Sequence, residues 1–512
     1  MEHFSFSSNY LTGVVTETHF AKLVSLKYLS GEGNNLILRL RSANWIPPFQ
    51  LQILSLNSWG LGPQFPLWLQ SQTDLDGLSI SNTSISSRIP WSFWRSFPKL
   101  RFLDMSQNHI QGMLSNIPAT LISLDLSYNK FFGRLPHLPN DSSLYTLDLS
   151  NNAFEGSLHH LSCPYKSTSV TVLDLGNNHL SGVIPECWEK LHVGSFLNLE
   201  NNNLSGGIPR TLGYLSSLQS FSSMKMNWLE ASQFPTWLGR EVSLLRLVNL
   251  KSNHFDGNIP HEICYLTHIQ ILVLADNNLS GNIPRCFSNF SVLSGKEPTS
   301  DDPFIHSIGD VPDVISSDSL VMKGREDTYS TILRLVTLLD FSNNNISGDI
   351  PSELTTLTAL QSLNLSRNQL TGRIPEKIGN MKALVSCDLS VNKLYGELPM
   401  SLSSLSLLSS FNVSYNNLTG RIPSSTQLQS FNETSFFGNK LCGDPLVEQC
   451  ARVEAPDTTD HEEDNESHTT DWALVIGMVL GFIIGFWVIV LPLTINRSWK
   501  ISYFRFLSKY GL

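Results

Sequence analysis

The chain has 512 residues, of which 15% are charged, and a formal net charge of −10. An acidic, charge-poor chain without a basic stripe argues against nucleic acid as a partner. Length alone allows several domains, but a unit of about 24 residues written through most of the chain replaces that reading with one elongated solenoid.

Counted from the first strand residue, units open at Phe4, Leu29, Leu54, Leu78, Leu103, Leu124, Leu147, Leu173, Leu197, Val248, Leu272, Leu339, Leu363, Cys387 and Phe411. Asn stands five places on in thirteen of these fifteen units, Trp59 and Thr83 being the exceptions. Gly recurs nine places on in most units, from Gly13 to Gly420, and Pro twelve places on in eleven, from Pro66 to Pro423. The apolar opening residue and the one two places later point inward from a short strand, because side chains alternate. The Asn is placed to bond backbone where the chain leaves the strand. Gly permits the turn, and the apolar-Pro pair suits an extended segment. Positions one, three and four after the opening then face the concave surface. Phe221 also opens a unit by spacing, but Ser222–Asn227 has neither the second strand Leu nor the Asn, so distortion is expected near 221–240.

These residues resemble the plant-specific leucine-rich repeat, LxxLxxLxLxxNxLxGxIPxx, over roughly residues 4–441. The implied fold is an α/β solenoid, a curved superhelix of the plant leucine-rich-repeat type. Met1–Tyr10 has no apolar signal region, and Phe4–Gly13 is already the inside of a repeat. The expectation is a chain whose signal, cap and early repeats are missing.

Cysteine register predicts staples. Cys163 and Cys187 stand sixteen and fourteen places into successive units, and Cys264 and Cys286 repeat that register. Adjacent coils bring such positions together, so the bridges expected are Cys163–Cys187 and Cys264–Cys286, with Cys442–Cys450 closing a C-terminal cap over 424–453. Cys387 is read as a small apolar core residue.

The array breaks once. Leu272 and Leu339 are 67 residues apart where one unit needs about 24, which defines an insertion over 287–337. Repeats before it occupy 1–286 and four repeats follow over 338–423. The insertion is rich in Pro and Asp and ends in Lys323-Gly324-Arg325-Glu326 and Tyr329. A long irregular insert in a regular array is often functional.

An acidic stretch over 454–471 precedes Trp472 and the charge-free apolar run Ala473–Ile495. At about 1.5 Å per residue such a run spans a bilayer as one helix. Arg497, Lys500, Arg505 and Lys509 follow it in the tail 496–512, so the tail is placed in the cytoplasm and the repeats outside. Gly477, Gly481 and Gly485 share one face of that helix and allow close approach of another. Eleven glycosylation sequons precede the span, at Asn82, Asn140, Asn203, Asn278, Asn289, Asn345, Asn364, Asn412, Asn417, Asn432 and Asn465.

The order of repeats, insertion, four repeats, acidic segment, helix and short tail is similar to plant leucine-rich-repeat receptor-like proteins, the cell-surface class without a kinase. The nearest likeness within that class is the group of immune receptors for fungal xylanase. The resemblance implies an extracellular protein or peptide ligand, an adaptor receptor-like kinase paired through the membrane helix, a co-receptor kinase at the last four repeats, and plasma-membrane residence. Its island corresponds to the insertion, with Lys323, Arg325, Glu326 and Tyr329 at its end. A wall-associated inhibitor of polygalacturonases, which shares the repeat, and a non-functional truncated receptor are the alternatives.

No motif for catalysis, metal or cofactor stands out. His159-His160 has no partner at ligand spacing. Asp104, Asp125, Asp148, Asp174, Asp340 and Asp388 all stand one place after an opening and are read as a solvated ladder. Concave residues that depart from the repeat's usual choices are the candidate contacts: Tyr128, Glu200, Arg246, Lys251, Asp276, Arg367 and Tyr415.

Overall fold

The computed structural model describes residues 1–450, apart from 43–44, 115–116, 140–143, 164–166, 226–231, 300–304, 307–313, 316–317 and 331. The spacer, the apolar run with Gly477, Gly481 and Gly485, the tail, and the sequons at Asn140 and Asn465 lie outside the described residues. Among the described residues no helix is long and apolar enough to cross a membrane.

One parallel sheet of sixteen strands runs through the molecule. Each strand is centred on a unit opening, and the openings pair in unbroken register, Phe4 with Leu29, Leu29 with Leu54, and so on to Cys387 with Phe411. Phe221 takes its place between Leu197 and Val248, so the degenerate unit keeps a regular strand, Ser220–Ser222. From Leu29 onward the opening residue and the one two places on are buried, as at Leu54 and Leu56, and they feed one continuous core; in the first unit Phe4 is exposed and Phe6 half-buried. Short 3-10 turns such as Arg210–Tyr214 and Ser352–Thr356 return the chain after the Pro. Smaller parallel sheets, one of them five-stranded, line the flank between strand and turn.

The Asn column forms the expected ladder. Asn129 Nδ2 donates to the carbonyls of Met105, Leu126 and Ser127 at 2.9–3.2 Å, and its Oδ1 accepts the Ile110 N–H at 2.9 Å. One side chain thereby satisfies backbone groups of its own coil and of the coil before it. The two exceptions obey the same chemistry. Trp59 Nε1 donates to the Gly31 carbonyl of the preceding coil at 2.8 Å, and Thr83 Oγ1 donates to Ile80 O at 2.9 Å. Asn439 continues the ladder into the C-terminal cap, donating to Val413 O.

The sequence pattern does not show what happens four places after each opening. Every coil there adopts a left-handed backbone, with φ between 50° and 69°, from Ser8 and Gly33 to Val391 and Tyr415. That conformation strains any residue but Gly and is tolerated by Asn and Asp. It turns the chain out of the strand in every unit, so Tyr128, Asp276, Arg367 and Tyr415 are held at fixed, outward-facing corners.

All three expected bridges are present: Cys163–Cys187, Cys264–Cys286 and Cys442–Cys450, with Cα separations of 5.4, 5.8 and 5.0 Å. Cys387 is free and buried, and burial pushes its thiol up to about 12. The insertion leaves the solenoid later than its expected start at Phe287. Phe287, Phe290 and Leu293 complete the Leu272 coil in the core, because the next coil needs those inward positions filled.

Candidate functional site

The concave sheet carries a column of Asp and Asn one place after ten of the sixteen openings, with Ser5, Ser30, Ser55, Ser79, Ser222 and Val273 in the others. Each Asp or Asn accepts the backbone N–H two residues later: Asp104 from Ser106, Asp125 from Ser127, Asp148 from Ser150, Asp174 from Gly176 and Asp340 from Ser342, all at 2.9–3.0 Å. Asn198, Asn249, Asn364 and Asn412 repeat the bond. These are Asx turns, and they prepare the left-handed residue that follows. The carboxylates are therefore not the solvated ladder expected from the period. Asp174 and Asp340 are buried, and Asp104, Asp125 and Asp148 half-buried, in direct register across adjacent strands. Burial first, and neighbouring carboxylates second, push Asp148 up to about 8 and raise Asp125 well above the carboxylate range. Burial is also the main cause that raises Asp174 to about 7 and Asp340 to about 6. Strand pairing at about 4.8 Å leaves such a row no room to ionise fully.

The end of the insertion folds onto this face. Asp318–Met322 and Arg325–Tyr329 form an antiparallel hairpin. Lys323 and Gly324 at its tip have φ of 54° and 73°, the backbone of a two-residue hairpin turn. Leu320 is fully buried among Leu247, Ile271, Val273, Ala275, Leu333, Val336 and Leu338, a small core separate from that of the solenoid. Two polar contacts flank this plug. Asn249 Nδ2 donates to Asp318 Oδ1 at 2.6 Å, and Lys251 Nζ pairs with Glu326 Oε1 at 2.9 Å. The Lys251 hydrogen bond and charge hold the Glu326 carboxyl below its usual range. Gln270, fully buried, donates to the carbonyls of Arg334 and Val336 at 2.8 Å and fixes the chain as it returns to the solenoid.

Past the plug, the hairpin tip overhangs the next strands. Val321, Lys323 and Gly324 on one side, and Ser362, Asn364, Ser386, Asp388, Ser410, Phe411, Asn412, Thr434 and Ser435 on the other, enclose a groove of about 230 Å³. Opposite the hairpin its lining is hydroxyls, amides and one carboxylate from the last three repeats and from the cap, with Phe411 as its aromatic member.

The candidate contacts divide between open face and covered seat. Tyr128 and Tyr415 are exposed, at 52% and 61%, and Arg367 is exposed beside them in type. Asp276 is half-buried and bonded to Asn343 Nδ2 at 2.8 Å and to Ser252 Oγ at 3.2 Å. Glu200 and Lys251 are buried. Lys251 serves the hairpin, and Glu200 accepts from Asn177 and Ser222. Arg246 is half-buried, with Nη1 unpartnered among the described residues. Lys323, Arg325 and Glu326 are exposed along the hairpin, and Tyr329 packs against the small core. Sequence reasoning missed Leu320 and the groove residues Ser386, Asp388, Ser410 and Thr434. The short apolar run Leu320-Val321-Met322 leading into Lys323-Gly324 was the available signal for a hairpin. It also missed His137, which the coil register sets against His160 with ring centroids 4.9 Å apart.

The Leucine Rich Repeat family matches residues 169–191, 195–215, 268–290, 336–357 and 359–381. Receptor-like protein EIX2 of Solanum lycopersicum is 41% identical over 97% of this chain and 51% of its own length. Receptor-like protein EIX1 of the same plant is 42% identical over 97% of the chain and 52% of its length. The chain belongs to the leucine-rich-repeat receptor-like proteins of plants. It spans about half the length of these relatives. Among solved structures, the ectodomain of the Arabidopsis thaliana receptor kinase GASSHO1/SCHENGEN3, in complex with CASPARIAN STRIP INTEGRITY FACTOR 2, is 25% identical with a TM-score of 0.51. That match covers 87% of this chain and 56% of the other. None of these likenesses indicates an enzyme family. For a receptor-like protein the concave face and its hairpin are the features to explain.

Proposed function

We propose that this receptor-like chain binds an extracellular protein or peptide in the groove between the island hairpin and the last three repeats. The observation that carries the reading is the groove itself, closed on one side by a hairpin plugged into the concave sheet through Leu320. An ordered, polar cleft with an aromatic anchor suits a peptide backbone and its end groups. The GASSHO1/SCHENGEN3 ectodomain, solved with a bound factor, supports ligand binding by this repeat architecture. Tyr128, Arg367 and Tyr415 extend the contact surface, and Arg325 is free to meet the same ligand from the hairpin.

In this reading the protein is a single-pass plasma-membrane glycoprotein with its repeats outside the cell. The helix over 472–495 pairs with an adaptor receptor-like kinase through Gly477, Gly481 and Gly485. A co-receptor kinase docks at the last four repeats, and the output is plant defence. Asn82, Asn203, Asn278, Asn289, Asn345, Asn417 and Asn432 are exposed and open to glycosylation. Asn364 and Asn412 line the groove, so a glycan on either would fill the ligand seat.

The test uses the full chain in detergent and a fungal xylanase, the ligand class of the immune group that the sequence resembles. Thr434 is an exposed groove residue, so Thr434→Arg obstructs the cleft without disturbing the core; it also removes the Asn432 sequon, and Asn432→Gln is the control for that loss. Binding weaker by about tenfold or more, roughly 1.4 kcal/mol, is expected. Met400→Arg on an exposed outer turn should leave it unchanged. Equal binding by wild type and Thr434→Arg sinks the groove as the seat.

A further inference from the structure

Beneath the hairpin lies a set of buried groups that ligand contact does not use. Asp318 begins the hairpin and is 2% exposed. Its Oδ1 accepts from Asn249, but its Oδ2 is buried with no hydrogen-bond partner among the described residues. Glu200, from a coil more than a hundred residues earlier, is 6% exposed, and strand register places it beside this site: Asn249, bonded to Asp318, pairs across the sheet with Ser222, which bonds Glu200. Ser222 Oγ donates to Glu200 Oε2 at 3.4 Å and lies close to Asp318, without closing a bond to Oδ2. The other charges facing this seat are Asp174, Lys225, Lys251, Glu326 and Asp340. Lys251 is committed to Glu326 and Lys225 is exposed, so among the described residues no cation forms an ion pair with either buried carboxyl. A buried ionised carboxylate without a partner is costly, and two that repel each other are worse. A proton on the pair removes both costs.

We propose that Asp318 and Glu200 form a proton-operated latch: with a proton on the pair the hairpin is seated on the concave face, and release of that proton to solvent frees it. Val321, Lys323 and Gly324 wall the groove, so the latch governs whether the ligand seat exists. That consequence rests on the ligand reading; the seating does not.

The sign follows from linkage. Burial raises both carboxyls in the seated state, and Glu200 raises Asp318 further. The seated state then binds more protons than the open one. Its advantage is full below the ordinary carboxylate range, near about 4, and is lost as the pH climbs through the raised values. The Lys251–Glu326 pair works oppositely, because Glu326 is lowered and the pair fails only at strongly acid pH. The two contributions overlap in weakly acidic solution.

The experiment is hydrogen exchange of the hairpin amides, Asp318–Tyr329, in the full chain in detergent from pH 5 to pH 8, corrected for intrinsic exchange. Opening should increase with pH, up to about tenfold per unit where one proton is released. Asp318→Asn and Glu200→Gln should each flatten that dependence, whereas Glu326→Gln should leave the alkaline opening in place. If Asp318→Asn fails to fold, Glu200→Gln decides alone. Corrected exchange that ignores pH in the wild type, or a slope that survives in Glu200→Gln, overturns the latch. So does a hairpin that opens at pH 5 on adding EDTA and closes at pH 8 with calcium, since a cation would then hold the pair. Failure of xylanase binding with this exchange pattern intact strikes the ligand reading and leaves the latch standing.

Discussion

Replacing Asn368 by Ala removes one rung of the ladder and tests the physical account of the repeat. Asn368 is 5% exposed. Its Nδ2 donates to Phe341 O of the previous coil at 2.9 Å and to Leu365 O and Ser366 O at 3.2 Å. Its Oδ1 accepts the Ile346 N–H at 3.0 Å. Ser366 O keeps a second bond, from the Asn343 N–H, so its loss is small. Phe341 O keeps a bond from Asn344 Nδ2 and Leu365 O one from Asn392 Nδ2, so the Ile346 N–H is the group left buried without its partner. At about 1–3 kcal/mol for a buried polar group stranded in this way, Asn368→Ala should cost about 1–3 kcal/mol. The assay is equilibrium urea unfolding, with exchange at the Ile346 amide as a local reporter. Glu376→Ala, at an exposed site on the neighbouring turn, is the control. A loss for Asn368→Ala within about 0.5 kcal/mol of that control would refute the ladder as a source of stability.

Further outcomes follow from the same structure. Asp174→Asn keeps the acceptor for the Gly176 N–H but cannot ionise; because the native carboxyl is raised to about 7, the substitution should stabilise the protein more at pH 8 than at pH 5 and be nearly neutral only below the ordinary carboxylate range, near about pH 3, as read by thermal unfolding at the three values. A Cβ at Gly379 would collide with the Ser401 carbonyl, whereas at Gly182 it meets open space and only the left-handed backbone objects. Gly379→Ala should therefore cost more than the roughly 1 kcal/mol expected for Gly182→Ala, measured by urea unfolding. Replacing Cys163 and Cys187 together by Ala should lower stability by about 3 kcal/mol, checked under non-reducing conditions. Leu320→Asp should unseat the hairpin, seen as fast exchange across Asp318–Tyr329 with the solenoid core still protected.

The solenoid was legible because its period repeats chemistry as well as hydrophobicity. Leu, Asn, Gly and Pro each solve a local problem that recurs in every coil, so register alone located the strands, two inter-coil bridges and the insertion. Even Trp59 and Thr83, which break the Asn rule, meet the same backbone need through other donors. What the period concealed was the role of the Asp column. Asp148 looks solvent-facing by alternation, yet it caps Ser150 and lies beside Asp174, and only strand pairing reveals that crowding. The hairpin seat was illegible for a different reason. Lys251 and Glu326 are 75 residues apart, and nothing in either local pattern encodes their meeting. Leu320 likewise reads as an ordinary apolar residue until the strands of Val248 and Leu272 are brought beneath it. Glu200 and Lys251 read as open contacts in the sequence; Lys251 instead holds the island hairpin through Glu326, and Glu200 is buried against Asn177 and Ser222.

The hairpin and the last three repeats are proposed to form one ligand seat. Hydrogen exchange of the full chain with and without bound fungal xylanase tests it most directly. Protection is expected together at Asp318–Tyr329, Ser362–Asn364, Ser386–Asp388 and Ser410–Asn412. Protection confined to the outer 3-10 turns, with the hairpin and these strands unchanged, would contradict it.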